Sequence, residues 1–146
     1  PVTAALRAAI VLGDTAGFRR MLENVSFLGR GAGQEEMRLA LSHGQISMAE
    51  RLRRKGVGSG DPALWHAFLG GSAACGRGWA WMNRFGASLA GQGEGVTPLH
   101  LLARWHPQRV EWIQACLDAG GSWHAKGALG QTPWDTLGSE DRAHWR

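Results

Sequence analysis

Val96-Thr97-Pro98-Leu99-His100-Leu101-Leu102-Ala103 is the stretch on which the fold turns, because Gln131-Thr132-Pro133-Trp134 answers it further along the chain. The two Thr-Pro pairs, at Thr97 and Thr132, stand 35 positions apart. A recurring Thr-Pro-apolar start with Ala- and Leu-rich stretches between marks stacked repeats, in which each unit buries its apolar face against its neighbours. Working backwards, Pro62-Ala63-Leu64-Trp65-His66-Ala67-Phe68 opens another unit, with Pro62 again 35 positions before Thr97. Upstream, Leu6 to Ile10 would form an inner helix and Phe18, Met21 and Leu22 an outer one. Met37, Leu39, Ala40 and Leu41, followed by Ile46, Met48, Ala49 and Leu52, would form the next pair. The i, i+3, i+4 apolar spacing of these groups is that of amphipathic helices. Gly13, Gly44 and Gly56 stand where a chain leaving a helix needs positive φ.

These residues resemble the ankyrin-repeat family, whose unit is a turn followed by two antiparallel helices. The family signature T-P-L-H-x-A stands here as Thr97, Pro98, Leu99, His100 and Leu101, with Leu102-Ala103 where the pattern has Ala-Ala. The resemblance is specific over residues 96–137 and pattern-level over 4–95. It implies an all-α, ankyrin-like solenoid of about four helix-turn-helix repeats with a C-terminal capping stub, above the ~3 repeats that stacking needs. The units fall at 4–30, 34–60, 61–95 and 96–130, with the stub at 131–146, in a single domain. Met37 to Leu64 spans only 27 residues, so Gly58 to Asp61 is expected to be a bare turn rather than a full hairpin. The family's Asp before the hairpin glycine is replaced by Gln92 and by Gly127. In the third unit the outer helix is expected over Trp79 to Arg84, after a long segment from Gly70 to Gly78. In the fourth, His106-Pro107 is the turn, Pro107 is placed to open the next helix, and Trp112, Ile113, Cys116 and Leu117 form the inward stripe. Ser139 to Arg142 is expected to cap a final short helix.

The chain's 146 residues, 44% of them hydrophobic, are enough for one domain with a sizeable core. No apolar run approaches the ~20 residues that span a bilayer, and no signal-peptide pattern opens the sequence. The start at Pro1-Val2-Thr3, without an initiator Met, is read as a processed or trimmed start, which leaves room for flanking domains. Two cysteines, Cys75 and Cys116, do not make a disulfide framework, so a reduced, cytoplasmic setting is expected. Net charge is +4, and residues 1–60 carry the whole excess, with 9 Lys+Arg against 5 Asp+Glu. The bias toward Arg, Gly, Ala and Trp over Lys points to a GC-rich, bacterial source.

Residue types that carry chemistry were weighed against simpler roles. In the resembled motif His100 bonds neighbouring backbone and holds its loop. The other five histidines show no pair at metal-ligand spacing. Gly70 to Gly78 and Gly91 to Gly95 lack the lysine and hydroxyl of a phosphate-cradling loop. Neither Ser72 nor Cys75 has a local base and orienting group. Trp79, Trp81, Trp112 and Trp134 read as packing residues, whereas Trp105 stands at the exposed end of an inner helix beside Arg104. The run from Arg51 to Lys55 reads as a solvated outer-helix face with cations near the helix C-terminus.

The expected function is therefore non-catalytic recognition of another protein, as a bacterial effector, immunity or regulatory protein, with no cofactor and no metal. The family binds through finger tips and the exposed ends of inner helices. By resemblance those positions are Ser42 and His43 in the second unit, and Gln92, Glu94, Val96, Arg104 and Trp105 in the fourth. In the last they are Lys126, Leu129 and Gln131. A preformed concave surface loses little ordering entropy on docking. Two alternatives carry different expectations: a binder of nucleic acid or an acidic surface through the basic N-terminal half, and an ankyrin domain detached from a larger enzyme. An effector would be delivered into a host cell instead of staying in the cytoplasm.

Overall fold

A computed structural model of the chain describes residues 2–27, 29, 31–71, 74–91 and 95–146. Regular structure among them is helical. The helices are α1 (Val2–Leu12), α2 (Thr15–Glu23), α3 (Gln34–Ser42), α4 (Ile46–Arg54), α5 (Ala63–Gly70), α6 (Gly76–Phe85), α7 (Pro98–Trp105), α8 (Val110–Asp118), α9 (Pro133–Thr136) and α10 (Ser139–His144). None of them is long and apolar enough to cross a membrane.

Short turns join successive helices into pairs. Gly13 leaves α1 at φ 72° and Gly44 leaves α3 at φ 70°, a left-handed conformation that a side chain would strain. Asp14 then caps α2 by accepting from the Gly17 N–H at 3.0 Å, meeting a donor the helix cannot satisfy itself. The pairs α1–α2, α3–α4 and α7–α8 pack internally, and α1, α3, α5, α7 and α9 each touch the next. The core runs along this row. Leu6, Ile10, Phe18, Met37, Leu41, Met48, Leu52, Leu64, Phe68, Met82, Leu102 and Ile113 are fully or almost fully buried.

Tryptophans carry the middle of that core. Trp65 is buried and donates its indole N–H to the Ala87 carbonyl at 2.8 Å, so its polar atom is not orphaned. The Trp79 and Trp112 rings stack at 4.7 Å with 2° between their planes, tying α6 to α8. Trp123, in the segment after α8, meets both Trp134 and Trp145 edge-on or tilted, which covers the C-terminal end.

Several boundaries differ from the sequence reading. α6 begins at Gly76, three residues before Trp79, because Cys75 Sγ accepts from the Gly78 N–H and starts the helix early. Pro107 does not open α8, whose first residue is Val110. Ser139 is the first residue inside α10, and the capping position belongs to Gly138, which has no side chain to cap with. Leu39, Leu117, Met21, Trp79 and Trp134 are half-buried, while Trp81 and Trp112 are buried as expected. Gly58 to Asp61 has no regular structure and is pinned by Ser59 Oγ donating to the Phe85 carbonyl at 2.6 Å. Ser72, weighed above as a nucleophile, lies outside the described residues.

Candidate functional site

Both Thr-Pro starts build the same device. Thr97 caps α7 and Thr132 caps α9, each with Pro in the first turn, and each is closed by a side chain three residues on. In α7 that side chain is His100, whose Nδ1 accepts the Thr97 N–H at 3.2 Å. An accepting Nδ1 places the ring proton on Nε2, which donates to the Gln131 carbonyl at 3.2 Å. The imidazole thus fastens α7 to the start of the next Thr-Pro segment. In α9 Asp135 takes the equivalent place, accepting the Thr132 N–H at 3.0 Å, and this backbone bond holds its carboxyl below the usual range. His106 is also engaged, with Nε2 against the Leu69 carbonyl at 2.8 Å. Burial pushes the Cys116 thiol up to about 12, which keeps it protonated and unreactive. Among the described residues no three His, Cys, Asp or Glu side chains gather as metal ligands.

The exposed ends of α3, α5 and α7 enclose a groove of about 330 Å³ lined by Glu35, Arg38, Leu39, Ser42, His66, Gly70, Gly71 and Trp105 among others. Residues 35, 38, 39 and 42 recur at helical spacing, so α3 presents one face to it. Trp105 forms the far wall. Its indole meets His66 edge-on at 5.3 Å between ring centres and covers Gly70 so closely that a Cβ there would sit 3.1 Å from the ring. Trp105 is exposed as expected, at 37% of its surface, with α5 supporting one side of it. Arg104 stands beside it, its guanidinium 5.5 Å from the indole centre.

Across Trp105 the groove continues into a smaller cavity of about 120 Å³ lined by Val96, His100, Leu101, Arg104 and Gln131. Gln131, one of its lining residues, has a buried Oε1 without a donor among the described residues. The turn at 127–130 crosses the preceding segment through Ala128 N–H donating to the Gly95 carbonyl at 2.8 Å.

Of the ten candidate binding residues, Ser42, Val96, Arg104, Trp105 and Gln131 are brought to this groove and its extension. His43 is exposed just beyond the end of α3 and lines neither part. Lys126 and Leu129 project near the 127–130 turn, Leu129 with 91% of its surface exposed. Gln92 and Glu94 lie outside the described residues. The sequence reading missed Glu35, Leu39, His66 and the Gly70-Gly71 floor. Their signal was present as the half-exposed stripe flanking each buried stripe of α3 and α5.

The basic run on α4 is partly neutralised from within. Glu50 accepts from Arg53, from Arg54 at 3.2 Å and from the Trp81 indole at 2.7 Å. These bonds, the Arg53 one first, hold its carboxyl at about 2, far below its ordinary 4.5. No family model matches the chain, and no curated protein matches it.

Proposed function

We propose that this chain is a non-catalytic, ankyrin-like recognition module that holds a protein partner against the exposed ends of α3, α5 and α7. The helix pairs, the row α1–α3–α5–α7–α9 and the Thr97–His100 device support that reading of the architecture. The groove carries the functional reading. It joins a supported but accessible indole and a neighbouring guanidinium. Trp and Arg are the side chains most enriched where binding energy concentrates. His100 and His106 bond backbone and Cys116 is buried as a thiol, which leaves Glu35 and His66 as the titratable groups that line the groove and could meet a partner.

Affinity capture from the source cells with the wild-type chain, followed by titration of the purified partner, tests this. Trp105→Ala should weaken binding about tenfold or more with little change in melting temperature, as loss of a centrally placed indole does. Arg54→Ala, on an outer helix, should leave partner affinity unchanged at physiological salt. The reverse result would move the partner off the groove and onto the outer helices.

A further inference from the structure

The chain's positive charge is concentrated on its outer helices. α2 carries Arg19 and Arg20, α4 carries Arg51, Arg53 and Arg54 with Lys55 at its C-cap, and α6 carries Arg77 and Arg84. Against these eight cations stand Asp14, which caps α2, Glu23 and Glu50, an excess of five (8 − 3) where the whole chain has +4. The charge lies on one surface. α2 and α4 flank a groove of about 270 Å³ rimmed by Arg19, Arg51, Arg54 and Lys55, with Glu23 also on its wall. α4 and α6 flank another of about 450 Å³ that takes in Arg53, Arg54, Arg77 and Arg84. Arg54 belongs to both grooves, so the basic surface is continuous across α4, and α6 extends it beyond the N-terminal half of the chain.

We propose that this α2–α4–α6 face binds the phosphate backbone of duplex nucleic acid without reading its sequence, separately from the protein-binding groove. Seven of the eight cations are arginines, whose planar guanidinium grips phosphate oxygens in pairs. Two of them are held in place beforehand: Arg53 lies 4.0 Å and Arg84 5.1 Å from the Phe85 ring centre. Glu50 opposes an anion least of the groups here, since its oxygens already accept from Arg53, Arg54 and Trp81.

The composition of the face favours this partner over others. The large apolar side chains that stand exposed among the described residues are Val11, Leu12, Trp105, Val110 and Leu129, and none lies on α2, α4 or α6. Helices that insert into a lipid surface and the buried centres of protein interfaces both draw on such residues. Single strands would need open aromatic faces for stacking. Trp81 is buried and Phe85 is covered by arginine. A basic surface with neither exposed large apolar side chains nor open aromatic faces suits the phosphate backbone of a duplex.

Fluorescence anisotropy of the full chain with a labelled duplex of about two helical turns tests the proposal, the salt concentration being varied. Binding is expected at low salt, with log affinity falling linearly against log salt by about 0.9 for each phosphate neutralised. The triple variant Arg54→Ala/Arg77→Ala/Arg84→Ala should lower affinity about tenfold or more at low salt and flatten the slope by roughly three phosphates' worth. Its Arg→Lys counterpart should keep the slope, which separates loss of charge from loss of fold. The single variant Arg77→Glu, at an exposed side chain with no ion-pair partner among the described residues, should weaken binding with an unchanged circular dichroism spectrum. Trp105→Ala should leave duplex binding as it was, so failure of this inference and failure of the groove reading are told apart. Absence of duplex binding at low salt would overturn the proposal. So would indifference to the triple variant, or binding to phosphatidylserine vesicles in preference to the duplex.

Discussion

Glu50 connects residues that the sequence keeps far apart. Its bonds to Arg53 and Arg54 lie within one turn of α4, but its bond to the Trp81 indole crosses to α6, 31 positions away. The first two follow from i, i+3 and i, i+4 spacing and are legible in the sequence. The third required knowing that α4 and α6 pack together. His100 is the opposite case, because its loop-holding role followed from the motif it resembles and the bonds to Thr97 and Gln131 are there. Glu50 also gives a pH prediction. Its folded value of about 2 lies below its ordinary 4.5, so its contribution is fully present above that ordinary value and is lost as pH falls toward about 2. Glu50→Gln should therefore be less stable than wild type at neutral pH, with the gap closing across that acid window. Urea midpoints measured against pH would show it, and a gap that stayed constant down to the acid end would remove the carboxylate's charge from the account.

At the scale of the element, α6 is the helix whose start the sequence concealed. Gly76-Arg77-Gly78 looks like loop, and cysteine is not among the usual capping residues. The Cys75 cap makes all three helical, and packing explains the second glycine. A Cβ at Gly78 would overlap the Phe68 ring and crowd Ile46, where α6 lies against its neighbours, whereas a Cβ at Gly76 meets nothing. The two positions should respond in opposite ways to one substitution. Gly→Ala in a helix brings up to about 1 kcal/mol through lower backbone entropy in the unfolded chain. At Gly76 that gain stands alone, reduced by its place in the first turn, so Gly76→Ala should be neutral or slightly stabilising. At Gly78 overpacking costs about 1–3 kcal/mol and outweighs it, so Gly78→Ala should lower the melting temperature. Equal responses by thermal unfolding would mean that α6 does not sit against Phe68 as described.

Across the whole molecule, helix contacts follow a row from α1 through α3, α5 and α7 to α9. α3 touches α1, α4 and α5; α7 touches α5, α8 and α9. Which segments are helical was legible because apolar spacing within a segment is a local signal. The groove was legible only in part, because it forms from the half-exposed edges of helices whose adjacency is set by packing. The proposed repeat stack implies that each unit depends chiefly on its neighbours. The C-terminal end tests that directly. α9 and α10 are short, and α10 buries none of its residues, yet Leu137 between them is buried and Trp123, Trp134 and Trp145 close over the end. Ending the chain after Gly130 would remove the Gln131 carbonyl from His100 and uncover the side of α7 that α9 protects. Amide hydrogen exchange on the truncated chain should show strong loss of protection in α7 and α8, a smaller loss in α5, and near-normal protection in α1 to α4. The indole of Trp105, at the end of α7, should become more accessible to quenchers in the same experiment. Uniform loss of protection from α1 to α8 would show that the chain unfolds as one cooperative body, and nearest-neighbour support would then be the wrong description.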